Sequence, residues 1–214
     1  MDEHQVVWNE KVAAKIIQNL EKRRMAGSYA ASVAKAKEEV LEMIPQGATV
    51  FRCGSMTVGG MGLWEAIAAI PEVNVIDPYL PKLSPEEGLD LRRRGLTADV
   101  MIASTNAITL DGRLVNLDGM GNRVAAMIFG PRKVVLVAGA NKITPDLPTA
   151  LKRVREVAAH MRAKSLGMET PCAESGRCAD CRAPQRICRV TAILHRPPML
   201  TDITVVLVAQ ALGF

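Results

Sequence analysis

The chain contains the run KVVLVA at residues 133–138, and its unbroken hydrophobicity predicts a strand that is buried on both faces. Strands of that kind belong to parallel sheets, because crossover helices cover both sides of such a sheet. Other apolar runs predict further strands, at residues 49–53, 73–76, 99–104, 190–195 and 203–208. Helical stretches separate most of these runs. The sequence therefore predicts an α/β fold, a parallel-rich sheet with helices on both faces.

Local signals place other elements around this sheet. Asp111-Gly112 lies between the apolar runs 107–110 and 113–117, which predicts a two-residue hairpin. A helix start is predicted at Ser84-Pro85, where a capping hydroxyl precedes a proline and two acids. A long amphipathic helix is predicted from Leu147 to Met161, directly before a cysteine-rich insert.

An N-terminal helical arm is predicted over residues 1–45. Apolar residues recur every four positions from Trp8 to Leu20, which is the period of an amphipathic helix, and Ser28 can cap a second helix. The arm can pack on its own domain or on a second copy of the chain. A homodimer is therefore one of the assemblies that the sequence leaves open.

Length and composition predict a single domain over residues 1–214. The chain has 49% hydrophobic and 23% charged residues, which is typical of globular proteins. No apolar run is long enough to cross a membrane, and residues 1–5 do not resemble a signal peptide, so we expect a cytoplasmic protein. The formal charge of +5 resides in residues 151–200, with ten basic and four acidic residues. Aromatic residues make up 3%, which argues against base stacking and hence against a nucleic-acid partner.

Four cysteines form the sharpest chemical signal. They have the spacing C-x5-C-x2-C-x6-C within the insert 171–189, at Cys172, Cys178, Cys181 and Cys188. In a cytosolic chain such a cluster favours metal over disulfides, because a cation offsets the repulsion of converging thiolates. The spacing matches neither a bacterial ferredoxin nor a regular zinc ribbon. We therefore expect that these cysteines bind an iron–sulfur cluster, with zinc as the alternative. The remaining interpretation is that the insert binds no metal and contains reduced thiols or one disulfide.

Glycine-rich turns between strands and helices give the second signal. Backbone N–H groups at such turns bind anions, and the carboxyl ends of strands are where open α/β sheets bind ligands. We expect a small anionic metabolite to be bound by residues of these turns and strand ends, namely Gly54, Ser55, Thr57, Asn106, Asn116, Gly119, Gly121, Asn122 and Lys142. The structural alternative is that tight turns need glycine for steric reasons and that the lysine is solvated.

Several stretches resemble the lactate-utilisation (LUD) domain family. They are TNAITLDGRLVNLDGMGN at 105–122, VLVAGANK at 135–142, TPCAESGRCADCRAPQRIC at 170–188 and ITVVLV at 203–208. Together they extend over most of the chain, and the cysteine-rich insert follows the long helix in the order expected of the family. The resemblance implies a fold similar to that of the ribose-phosphate isomerase and CoA-transferase superfamily.

The resemblance also implies a role in redox metabolism of lactate or a similar hydroxy acid, with an iron–sulfur partner protein. Two alternatives stay open. The chain can be a non-catalytic accessory or assembly module with a structural zinc, or an enzyme that acts on a phosphorylated or CoA-linked metabolite. Fold is implied more firmly than activity, because one scaffold serves many reactions.

Overall fold

The structure is a computed structural model that describes residues 3–214. Its centre is a six-stranded sheet in which every pairing is parallel, in the order β1-β10-β7-β4-β2-β3. The strands are β1 (Ala26–Ala30), β2 (Thr49–Arg52), β3 (Asn74–Ile76), β4 (Val100–Ala103), β7 (Lys133–Gly139) and β10 (Asp202–Val208). The predicted parallel α/β fold is confirmed.

Helices cover both faces of this sheet. Those that contact it are α1 (Glu3–Lys22), α2 (Val33–Glu42), α3 (Met56–Gly59), α4 (Leu63–Ala68), α5 (Pro85–Arg94) and α6 (Asn122–Ile128). By contrast, α7 (Leu147–Arg153) contacts a second sheet, and α8 (Ala159–Ser165) contacts α9 (Pro171–Ser175). A π-helical segment, Val154–Ala158, joins α7 to α8, so the predicted long helix is continuous but locally wider. None of the helices in residues 3–214 is long and apolar enough to span a bilayer.

The central strand β7 shows why both faces are apolar. Val134 and Leu136 pack into a core cluster shared with α1 and α6, whereas Val135 and Val137 pack into a second cluster shared with α2 and α4. All four side chains have no exposed surface. An alternating strand with polar residues on one face could not fill both clusters, which is the physical basis of the sequence pattern.

A second sheet of four strands, in the order β8-β5-β6-β9, lies beyond the end of β4. Its strands are β5 (Ala107–Thr109), β6 (Leu114–Asp118), β8 (Ile143–Thr144) and β9 (Val190–Leu194). The predicted hairpin is present, since Ile108 pairs antiparallel with Leu114, but the two-residue loop was wrong, because this register leaves residues 110–113 between the strands. The existence of a separate sheet was not predicted.

The N-terminal arm differs from the prediction in one respect. Its two helices are present, but the Ser28 cap was wrong, because Ser28 lies in β1 at the edge of the main sheet. Ser32 caps α2 instead, accepting a hydrogen bond from the backbone N–H of Lys35. Met1 and Asp2, part of the polar segment used to predict localisation, lie outside the described residues.

Candidate functional site

A large cleft opens at the carboxyl ends of β2, β4 and β7. Its volume is about 510 Å³, within the range of small-molecule sites. The turn after β6, the π-helical segment and the cysteine-rich loop complete its walls. Of the nine residues predicted to bind a ligand, seven line this cleft: Gly54, Ser55, Thr57, Asn106, Gly119, Asn122 and Lys142. The fold thus brings together residues that are distant in sequence.

The two remaining predicted residues do not line the cleft. Asn116 is fully buried beneath it, and Gly121 is the residue before α6, with a φ of 87°. Their roles here are structural: the Asn116 side chain accepts a hydrogen bond from Arg123, and the positive φ starts the helix.

Two glycines are explained by close approach. A Cβ on Gly54 would lie 2.6 Å from the Tyr79 hydroxyl, and one on Gly119 would lie 3.1 Å from the carbonyl oxygen of Ile187. Because Gly54 has no side chain, Tyr79 packs directly against the turn after β2. Gly119 likewise lets the cysteine-rich loop pack directly on the turn after β6.

Arg123 organises the floor of the cleft. It donates 2.9 Å hydrogen bonds to the Ser104 carbonyl and the Asn116 amide oxygen, and 2.7 and 2.8 Å bonds to the Asn106 amide oxygen and the Leu117 carbonyl. The guanidinium therefore joins the end of β4 to β6. Two of the three asparagines predicted as ligand residues, Asn106 and Asn116, hold this arginine through their amide oxygens.

Lys142 is buried at the edge of the same floor, with 3% of its surface exposed. Its Nζ lies 2.6 Å from Thr57 Oγ1 and 2.8 Å from Ser104 Oγ. Burial, with smaller effects of Arg153 and Arg123, lowers the pKa of Lys142 to about 7. The prediction that this lysine is a candidate site residue thus coincides with an unusual environment; the alternative of a solvated lysine is wrong.

The cleft is strongly basic. Among the described residues that line it, one acid, Asp118, faces six cations: Arg92, Arg123, Lys142, Arg162, Arg186 and Arg189. Within residues 3–214, the ion pairs of these cations are those of Arg123 with Asp118 and of Arg186 with Asp180. The other four cations therefore lack an acidic partner, which is the condition for binding an added anion.

Sequence reasoning missed most of these cations. Arg162, Arg186 and Arg189 belong to the basic region that was recognised, but their convergence depends on the packing of the cysteine-rich loop. Arg92 is held by the ring of Tyr79, whose centre is 5.2 Å from the guanidinium carbon. Nothing in the sequence around α5 indicates that this helix reaches the cleft.

The four cysteines of the insert surround one small cavity. All of them are free thiols, and all line a cavity of about 20 Å³, which is room for one ion or water molecule. In the described part of the chain, no three His, Cys, Asp or Glu side chains are already arranged as a coordination sphere. The insert is loop except for α9, so its side chains carry few packing constraints. The fold therefore places the four cysteine residues along one cavity, but it does not arrange them as a set of metal ligands.

His160 supplies a further observation at this cavity. It lines the cavity, is 6% exposed, and neither of its ring nitrogens has a hydrogen-bond partner among residues 3–214. A buried imidazole without partners is costly, and a polar occupant of the cavity would relieve that cost. Sequence reasoning gave His160 no role, because an isolated histidine on a helix carries no motif.

The fifth cysteine is different. Cys53, at the end of β2, is buried, and burial raises the pKa of its thiol to about 12. It does not line the cysteine cavity. It is thus separated from the other four cysteines both along the chain and in the fold.

The two sites are adjacent. Ala159, Arg186 and Ile187 line both the cleft and the cysteine cavity. Arg186 also donates to the carbonyls of Cys181 and Cys188, at 2.7 and 3.0 Å. One arginine thus connects the backbone of the cysteine-rich loop to the wall of the basic cleft.

These features define a parallel α/β domain with a basic cleft at the carboxyl ends of its strands and a cysteine-rich loop at its rim. The sequence profile of the LUD domain matches residues 13–208, and the chain belongs to this family. The crystal structure of a DUF162 family protein from Deinococcus radiodurans is similar, with a TM-score of 0.54 and 12% identity over 94% of this chain and 98% of that one. At that identity the likeness shows the fold alone. No curated protein matches the chain.

Proposed function

We propose that this LUD-domain protein acts in the redox metabolism of lactate or a similar small hydroxy acid. It binds a small anionic metabolite in the basic cleft and holds an iron–sulfur cluster, or zinc, on Cys172, Cys178, Cys181 and Cys188. The observation that carries the proposal is the adjacency of the two sites through Arg186. Binding to an iron–sulfur partner protein follows from the same proposal, since electrons need an acceptor.

The charge of the cleft supports an anionic ligand. Within residues 3–214, Arg92, Arg162 and Arg189 form no ion pair, and arginine binds carboxylate or phosphate through paired hydrogen bonds. An unpaired cation beside a low-dielectric wall gains about 4 kcal/mol from an anion 4 Å away at an effective dielectric of about 20. The cleft itself would thus select negatively charged metabolites over neutral ones.

The cysteine cavity fits a metal centre by its donors. The four cysteines line one cavity together with His160, a buried imidazole for which the described residues provide no hydrogen-bond partner. An iron–sulfur cluster held there would supply one-electron transfer next to the ligand cleft. The four cysteines would hold it, and Arg155, 3.7 Å from the sulfur of Cys178, and Arg186 would offset its negative charge.

A single structural zinc is the second candidate, and the cavity volume of about 20 Å³ favours it, because one ion fits without displacing the loop. In that case the chain acts as an accessory or assembly module. Zinc would order a loop whose side chains are mostly polar and half-exposed or exposed.

Metal analysis after anaerobic purification tests whether the four cysteines bind a metal centre. We expect iron and sulfide with a broad visible absorption band, or one zinc and no colour if the accessory-module interpretation holds. Cys178→Ser and Cys181→Ser should abolish the metal, whereas Cys53→Ala, which removes a thiol outside the cavity, should retain it. Stoichiometric metal in the Cys178→Ser/Cys181→Ser double variant would overturn the ligand assignment.

The cleft is tested with two neighbouring arginines of α5. Arg92 lines the cleft, whereas Arg93 is exposed and pairs with Asp90 at 3.0 Å. Calorimetric titration with lactate, pyruvate, inorganic phosphate and coenzyme A should show roughly tenfold weaker binding in Arg92→Gln, which corresponds to about 1.4 kcal/mol. Arg93→Gln should bind as the wild type does.

The identity of the anion that binds separates the functional alternatives. Preference for lactate or pyruvate supports the hydroxy-acid proposal, and preference for phosphate or coenzyme A supports an enzyme of phosphorylated or CoA-linked metabolites. Equal affinities in both arginine variants would refute the assignment of the cleft. Ser55→Ala and Asn122→Ala should weaken binding less than Arg92→Gln, because they remove a neutral partner.

A further inference from the structure

The surroundings of Lys142 are unusual for a cation that binds anions. Its amine has two hydrogen-bond partners, the hydroxyls of Thr57 and Ser104. Each hydroxyl gives its own proton to a backbone carbonyl, of Leu212 at 3.2 Å and of Thr105 at 3.1 Å. Both hydroxyls therefore offer lone pairs to the lysine, and Nζ is the donor in both bonds.

Two acceptors suit a neutral amine. A neutral amine has two N–H groups and one lone pair, so both of its protons are bound here and the lone pair is left free. An ammonium group has a third N–H, and within residues 3–214 no carboxylate forms an ion pair with Lys142. The pKa of about 7, lowered by burial, agrees with this count. A neutral lysine amine is a nucleophile.

The cleft determines what such a nucleophile would meet. The arginines of the cleft that form no ion pair within residues 3–214 would bind a carboxylate, and the amine would react with an electrophilic carbon. A 2-oxo acid contains both groups next to each other. We propose that Lys142 forms an imine with the carbonyl carbon of a small 2-oxo acid. The inference rests on the proposed function of the cleft as an anion site, and it identifies the class of ligand.

The step needs no further reactant. The lone pair of Nζ attacks the carbonyl carbon and forms the C–N bond while the C=O π bond breaks, and one of the two amine protons moves to the carbonyl oxygen. Loss of both amine protons and this oxygen as one water molecule then gives C=N. Hydroxyls of Thr57 and Ser104 stay beside the nitrogen throughout. A 2-oxo acid is a 2-hydroxy acid that has lost two electrons and two protons, so the ligand is the oxidised partner of the proposed metabolite.

Reductive trapping tests the inference. The purified chain is incubated with pyruvate, glyoxylate or 2-oxoglutarate and treated with sodium cyanoborohydride, and the lysines that carry an adduct are identified by peptide mass spectrometry. We expect one dominant adduct, on Lys142, whose added mass is that of the oxo acid less one oxygen atom. Lactate, which has no carbonyl carbon at that position, should give none.

Matched variants make the result decisive. Lys142→Met should lose the dominant adduct. Lys37→Met should keep it, because Lys37 is half-buried outside the cleft and donates to the Gly62 carbonyl. Adducts spread over surface lysines, or none on Lys142 although pyruvate binds by calorimetry, would overturn the imine and leave the anion site in place. Absence of both calorimetric binding and adduct would overturn the proposed function together with the inference.

Discussion

The protonation of Lys142 predicts an unusual dependence of stability on pH. In the folded chain its pKa is about 7, against an ordinary value of 10.5. Between these values the unfolded chain binds more protons than the folded chain, so stability rises with pH across this window. Below the folded pKa both states are charged, and the folded state bears the full cost of burying the cation.

The magnitude follows from the two pKa values. The full shift of the Lys142 pKa corresponds to about 5 kcal/mol in the free energy of unfolding. Integrating the pH dependence of this free energy from about pH 7 to about pH 9 gives a gain of about 2 kcal/mol. Over this pH interval, the free energy of unfolding should therefore rise by about 2 kcal/mol more in the wild type than in Lys142→Met, because the variant has no amine to neutralise. Other groups titrate equally in both chains and cancel in the difference.

Urea unfolding at the two pH values measures this effect, with the free energy of unfolding taken from linear extrapolation. Lys37→Met is the control and should follow the wild type. Parallel pH curves for the wild type and Lys142→Met would show that the amine is not desolvated. That result would refute the reasoning about burial, whatever the outcome of the trapping experiment.

Three further outcomes are expected. Arg123→Met should lower the free energy of unfolding by about 3 kcal/mol, because it removes a charged donor from four oxygens that are buried or partly buried; a loss below about 1 kcal/mol would contradict its role as organiser of the floor. Ser84→Ala should cost about 1 kcal/mol in urea unfolding, since it removes the capping box of α5, and an unchanged midpoint would contradict this. Cys53 should resist iodoacetamide at about pH 8 in the native chain and react in denaturant, because its pKa is about 12 and it is buried; labelling as fast as that of Cys178 would be the contrary result.

The sequence predicted the main sheet well, but β1 was missed for a physical reason. The strands β2, β4, β7 and β10 are apolar runs, and each was predicted to within two residues. The sequence of β1 is AGSYA, which lacks β-branched residues and contains a glycine. It is a strand because it pairs with β10, whose residues lie near the other end of the chain. Local pattern cannot indicate a pairing of that kind.

The residues of the site that the sequence predicted are those whose type is required by the local backbone conformation. The residues that it missed are brought to the site by long-range packing. Glycines and capping residues at the turns pointed to the cleft, because their sequence requirements are local. Arg123 lies in the first turn of α6, where an arginine usually faces solvent; it is held in a buried position by acceptors from the loop after β4 and from β6. The amides of Asn106 and Asn116 were the available signal, since two asparagines at strand ends can bind a buried guanidinium.

If both proposed sites bind their ligands, the wall that they share would couple them thermodynamically. Arg186 binds the carbonyls of Cys181 and Cys188 and also lines the cleft, and Ile187 packs against Gly119 on the opposite wall. An ion that orders the cysteine-rich loop would therefore also fix the position of Arg186 and Arg189, two of the six cations that line the cleft. An anion that is bound more tightly by the ordered loop must in turn stabilise the metal-bound state by the same factor, because coupling between two binding sites is reciprocal. The position of one arginine, rather than direct contact between metal and metabolite, is then sufficient to couple them.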